Sequence, residues 1–224
     1  MKKTQCLLLL LPFAACLCSQ VAAQQLALEG KPPASGAALL QASVADGGVS
    51  VRYLHEGERR GASQTFVWNF PGKLTGLGLK ISSDAAERYP LAQPQRFEID
   101  IHELTDALTG RKIVRKLATI PVSLTPSLAR PGCWLQITLD TPLELKNGVP
   151  YGLHLRPVEI VDENHLYLAW SGHGTGTTTY KEGVASLTLG TAYADGDGYG
   201  REPLARDFDL AFYLTTNTTG NRPE

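Results

Sequence analysis

Five histidines are distributed along the 224-residue chain, His55, His102, His154, His165 and His173. No two of them stand at the H-x-H or H-E-x-x-H spacing that would let their rings converge on one metal ion. A Gly-x-Ser-x-Gly turn, which would expose a nucleophilic serine at a strand end, is also absent. Glu98 and Asp100 share one side of an alternating segment, an ordinary arrangement of solvated carboxylates on a sheet, so a glycosidase pair has no support. His102 and His154 fall on polar strand faces, where solvated imidazoles are expected. The run Asp195-Gly196-Asp197-Gly198-Tyr199-Gly200 begins like a calcium loop. Its fifth and twelfth positions hold Tyr199 and Arg206 where oxygen ligands would be needed, which leaves it as a loop tip. Gly172–Gly176 lacks the Gly-Lys-Ser/Thr end of a phosphate loop.

Aromatic side chains offer a different chemistry, because a ring face stacks on the apolar C–H face of a pyranose while a few polar groups fix its hydroxyls. Tyr167, Trp170 and His173 surround a Gly-rich run, and Tyr193 and Tyr199 flank the Asp/Gly loop. These five are the candidate ligand-binding residues. Trp170 has an alternative role in the core, since it shares parity with Leu166 and Leu168. Trp68 and Trp134 stand mid-strand among apolar residues and are expected inside the fold, with Cys133 as a small buried neighbour.

The elements that position these residues read as strands. Apolar residues recur at every second position in Val49-Val51-Tyr53, Phe66-Trp68-Phe70, Leu77-Leu79-Ile81 and Phe97-Ile99-Ile101. The same period governs Tyr151-Leu153-Leu155, Leu166-Leu168-Trp170 and Phe208-Leu210-Phe212-Leu214, and further strands are expected over 117–124, 133–139 and 186–191. Pro71-Gly72, Pro131-Gly132 and Asn147-Gly148 mark turns. Only Asp84–Arg88 could form a helical turn. About ten strands without helices predict an all-β fold, a two-sheet antiparallel jelly-roll sandwich.

Composition sets the context. The net charge is −1 and 43% of residues are hydrophobic, which argues against a nucleic-acid surface and against disorder. Lys2 and Lys3, the apolar stretch 7–15 and the small residues Val21-Ala22-Ala23 read as a signal peptide over 1–23, cleaved before Gln24. The apolar stretch falls short of a membrane span, and no transmembrane segment is expected in the mature chain. Cys16 offers a lipidation site, but Phe13 stands where a branched aliphatic residue would be expected. Cleavage removes two lysines and three cysteines, leaving a net charge of −3 and Cys133 alone. Neither an intramolecular disulfide nor a Cys-based zinc site can then form. The expected organisation is a flexible Ala/Gly/Pro-rich leader over 24–48, a sandwich over 49–215 and a polar tail over 216–224.

The order of several motifs resembles secreted bacterial jelly-roll domains with a galactose-binding-like or carbohydrate-binding-module-like sandwich. The resemblance covers about residues 60–215 and rests on Gln64-Thr65-Phe66, Leu74-Thr75-Gly76-Leu77-Gly78-Leu79-Lys80 and Phe97-Glu98-Ile99-Asp100-Ile101-His102-Glu103. It continues through Gly132-Cys133-Trp134-Leu135-Gln136-Ile137-Thr138-Leu139, Asp140-Thr141-Pro142-Leu143-Glu144-Leu145 and Asn147-Gly148-Val149-Pro150-Tyr151. Trp170-Ser171-Gly172 and Asp209-Leu210-Ala211-Phe212 complete it. It implies the fold, an extracellular setting and glycan binding. It also implies a structural calcium near the last strand, with Asp209 as the carboxylate ligand; no other cofactor is expected.

The sequence therefore reads as a non-catalytic exported domain, periplasmic or secreted, that binds a glycan or cell-envelope polymer. The alternative is a structural or adhesive envelope protein that acts on protein partners through a sheet face or edge.

Overall fold

A computed structural model describes residues 23–33, 36–42, 48–53, 59–108, 112–161, 164–171, 180–189 and 209–217. Fourteen strands are present among them. They are β1 (Ala23–Glu29), β2 (Ala37–Gln41), β3 (Val49–Tyr53), β4 (Arg59–Trp68), β5 (Leu74–Lys80), β6 (Gln95–Leu104) and β7 (Ile113–Leu124). After these come β8 (Trp134–Leu143), β9 (Val149–Pro157), β10 (Leu166–Leu168), β11 (Trp170–Ser171), β12 (Ala185–Leu189), β13 (Asp209–Leu210) and β14 (Phe212–Thr216). One α-helical turn, α1 (Asp84–Arg88), lies where the sequence allowed one, and a 3-10 turn not expected from the sequence spans Pro126–Leu128.

Two antiparallel sheets pack together as an all-β sandwich, the predicted fold class. One has the order β1-β8-β5-β14-β2, and the other β10-β3-β4-β9-β6-β7 with β12 also on β4. Few neighbours in either sheet are consecutive in sequence, so the chain crosses between the sheets repeatedly. The short pair β11-β13 forms its own two-stranded ladder against the same core.

Period-two alternation sorts the side chains as expected. Phe97, Ile99 and Ile101 of β6 and Leu135 and Ile137 of β8 are fully buried in one core with Phe66, Trp68, Leu77 and Leu79. The Asn147-Gly148 turn joins β8 to β9 with Gly148 at φ +73°, a conformation that a side chain would strain. Edge strand β7 carries Pro121, which has no N–H to offer, together with exposed Arg115 and Lys116.

Three expectations need correction. The segment expected to be a leader contributes strands β1 and β2, paired with β8 and β14. Few apolar residues announce them: Leu39 of β2 enters the core and Leu26 of β1 packs against it. Trp134 is buried as expected, in a second, smaller cluster with Tyr213, Ala169 and Ala211. Cys133 is only half-buried. At the C-terminal boundary, β14 runs into Thr216, one residue beyond the expected edge.

Candidate functional site

Tyr167 is the sequence candidate around which other functional groups gather. In β10 the alternation places Leu166 and Leu168 in the core and Tyr167 on the other side with the preceding His165, half-buried and still in contact with the margin of the core. Two main-chain bonds anchor this strand to the end of β5: Ser82 N–H donates to the Tyr167 carbonyl at 2.9 Å, and Ala169 N–H donates to Lys80 O at 2.8 Å. The α1 turn closes with Tyr89 N–H donating to Ala85 O at 3.0 Å, which delivers the Tyr89 ring beside β10.

Three rings consequently cluster. His165 and Tyr167 stack at 5.7 Å with planes 9° apart, while Tyr89 stands 5.7 Å from His165 and 5.9 Å from Tyr167. Tyr89 is 53% exposed, so the cluster opens to solvent rather than closing as core. Ser50 Oγ lies 3.4 Å from His165 Nδ1. Arg52 Nη1 is 3.4 Å from both His165 ring nitrogens, the position of a guanidinium lying across the ring face rather than along one lone pair.

A second guanidinium completes the group. Arg60 of β4 pairs directly with Arg52 of β3 in the sheet register. Burial, and then the Arg52 charge, lower the Arg60 pKa, with Tyr167 acting in the opposite direction. The Nε atoms of both arginines are shielded from solvent without a hydrogen-bond acceptor. Aromatic faces flanked by two guanidiniums suit a ligand with an apolar face and anionic or hydroxyl edges.

Of the other sequence candidates, Trp170 is half-buried and packs against the main core, with its backbone paired to Leu210. His173, Tyr193 and Tyr199, together with the Asp195–Gly200 run and the segment 1–22, lie outside the described residues. Asp209 is fully buried; its Oδ1 accepts from Gln64 Nε2 and its Oδ2 from Tyr180 N–H, both at 3.1 Å. Its oxygens are thus engaged by protein donors, and no cluster of three His, Cys, Asp or Glu occurs among the described residues.

A polar row crosses the same large sheet. Register aligns Ser63, His154, Asp100 and Thr119 on neighbouring strands. Ser, His and Asp side by side invite a catalytic reading, but the partners differ from those a nucleophile requires. The Ser63 hydroxyl donates to the Ser186 carbonyl at 3.3 Å, and Asp100 accepts from Thr119, Lys116 and Arg156. Arg156 also bonds Glu98.

Burial corrects the expectation of solvated histidines here. His102 and His154 are buried, and desolvation holds their pKa values down at about 4 and about 3. For Asp100, burial alone would raise the pKa, but the Thr119 hydroxyl, Arg156 and Lys116 together lower it. The row is a neutral-histidine structural network inside the sheet.

The aromatic-guanidinium group was illegible in one dimension. Alternation in Val49–Tyr53 flags Arg52 as off the core face, but nothing local joins it to Arg60, Tyr89 and His165.

No family model and no curated protein matches the chain. Among solved structures, it is similar to the cysteine protease and lectin-like domains of Cwp84, a surface layer associated protein of Clostridium difficile. That match has 10% identity and a TM-score of 0.42, over 76% of this chain and 36% of the other. A clostridial form of the same protease after propeptide cleavage matches with 10% identity and a TM-score of 0.41, over 76% and 41% of the two chains. The chain spans less than half the length of either protein. No helix among the described residues is long and apolar enough to cross a membrane.

Proposed function

We propose that this sandwich is a non-catalytic, exported binding module that takes a glycan or cell-envelope polymer on the Tyr89–His165–Tyr167 platform. The supporting observation is the three-ring cluster itself, stacked and open to solvent at Tyr89, with Arg52 across its imidazole. A saccharide ring would lie on the aromatic faces and the guanidiniums would meet its polar edge, while buried Ser50 holds His165 from within. The engaged partners of Ser63 and Asp100 support the non-catalytic part of this reading. Pro121 and the charges of β7 weigh against the alternative of a protein partner added along that edge.

Retention of the purified chain on a panel of immobilised polysaccharides tests the proposal. Parent protein is expected to be retarded by at least one, and Tyr89→Ala to elute with the void. No retention on any polysaccharide, or retention that survives both Tyr89→Ala and Tyr167→Ala, would sink it.

A further inference from the structure

The arginine pair specifies what kind of saccharide the platform takes. Arg52 and Arg60 sit directly opposite one another in the β3–β4 register, where like charges repel. Both are half-buried, which removes part of the water that would otherwise screen that repulsion. Three arginines of this protein have carboxylates: Arg156 has Glu98 and Asp100, Arg96 has Glu159, and Arg115 has Glu103. Among the described residues no ion pair includes Arg52 or Arg60, and the buried Nε of each is without an acceptor. Two neighbouring, partly desolvated guanidiniums on one sheet face suit an oxyanion, because an acceptor lying between their terminal N–H groups would neutralise the repulsion. The rings beside them take an apolar face.

We infer that the platform selects anionic saccharides, the sugar ring stacked on Tyr89 and Tyr167 and its carboxylate or sulfate held between Arg52 and Arg60. This inference rests on the platform being a glycan site and adds the charge of the ligand.

The test is affinity electrophoresis of the full chain against polygalacturonate, a sulfated galactan and a neutral galactan. Expected is a preference of about tenfold or more for an anionic polymer over the neutral one, weakening as salt rises. Arg52→Gln and Arg60→Gln should each narrow that ratio severalfold. Thermal melting should show both variants no less stable than the parent, since each relieves the repulsion. Whichever anion is preferred, carboxylate or sulfate, an Arg-dependent preference supports the inference. Equal binding of neutral and anionic polymers, or a preference that survives both substitutions, overturns it while leaving the glycan reading standing. Failure of all three polymers to bind overturns both.

Discussion

The side-chain amide of Gln64 and the carboxylate of Asp209 meet at 3.1 Å inside the fold, and each is fully buried. The same amide accepts from Leu210 N–H at 2.8 Å and donates to the Thr65 carbonyl at 3.0 Å. One glutamine of β4 therefore ties β13 to the large sheet. Gln64→Leu leaves Asp209 and Leu210 N–H short of a partner and is expected to cost about 1–3 kcal/mol, measured by urea denaturation.

Burial pushes the Asp209 pKa up to about 6, against the opposing bonds from Gln64 and Tyr180. The folded state thus holds a proton here that the unfolded chain releases near pH 4. Stability contributed by that proton is present at about pH 4 and is lost as pH rises through 6. Asp209→Asn, which cannot ionise, should gain on the parent by about 1 kcal/mol per pH unit across that window. A parent–variant difference independent of pH would refute this. Because both oxygens accept N–H groups, millimolar calcium should produce no Asp209-dependent rise in Tm. A calcium shift abolished by Asp209→Asn would instead support the metal role that the sequence resemblance implied.

The histidines work in the opposite direction. His102 and His154 stay neutral in the fold to about pH 4 and about pH 3, whereas the unfolded chain protonates them near 6.5. Unfolding then takes up protons, so stability falls as pH drops below about 6.5, on the order of 1 kcal/mol per pH unit for each group. Chemical melts of His154→Gln should show a flatter acid limb than the parent between pH 6 and 4. An unchanged limb would place the titration elsewhere.

Asp100 and Arg156 form the buried part of an ion-pair network, with Arg156 Nε 3.1 Å from Asp100 Oδ2. Arg156→Met leaves the buried Asp100 carboxylate with Thr119 and Lys116 alone and is expected to cost about 3 kcal/mol. Adding Asp100→Asn should return part of that loss, because no uncompensated charge then remains. Strictly additive losses in this double-mutant cycle would show the two to be uncoupled.

Gly78 allows Tyr213 to lie flat against β5: a Cβ added at this glycine would fall within the tyrosine ring. Gly78→Ala should therefore lower Tm by several degrees, as overpacking of about 1–3 kcal/mol predicts. In a Tyr213→Leu background the same change should cost much less. Equal penalties in both backgrounds would exclude the clash as the cause.

Particular segments show where sequence sufficed. The alternation in Phe97–Ile101 sorted core from polar face without reference to any partner, because pleat geometry fixes side-chain direction locally. The single turn at Asp84–Arg88 and the Gly148 turn were legible for the same local reason. In contrast, Gln24–Glu29 has too little apolar alternation to announce a strand and becomes one through main-chain pairing with β8. Asp209 read as an outward carboxylate, yet Gln64, 145 residues earlier, makes its burial tolerable.

The candidate site marks the same division. Sequence supplied Tyr167 as one of the aromatic residues around the Gly-rich run, since residue type and local spacing are enough for that. Its companions come from the end of α1, from β3 and from β4. The Arg52–Arg60 juxtaposition exists only because a hairpin sets one strand against the other in a single register. Local periodicity determines which way a side chain points, whereas the sheet's hydrogen-bond register decides which distant side chain it meets.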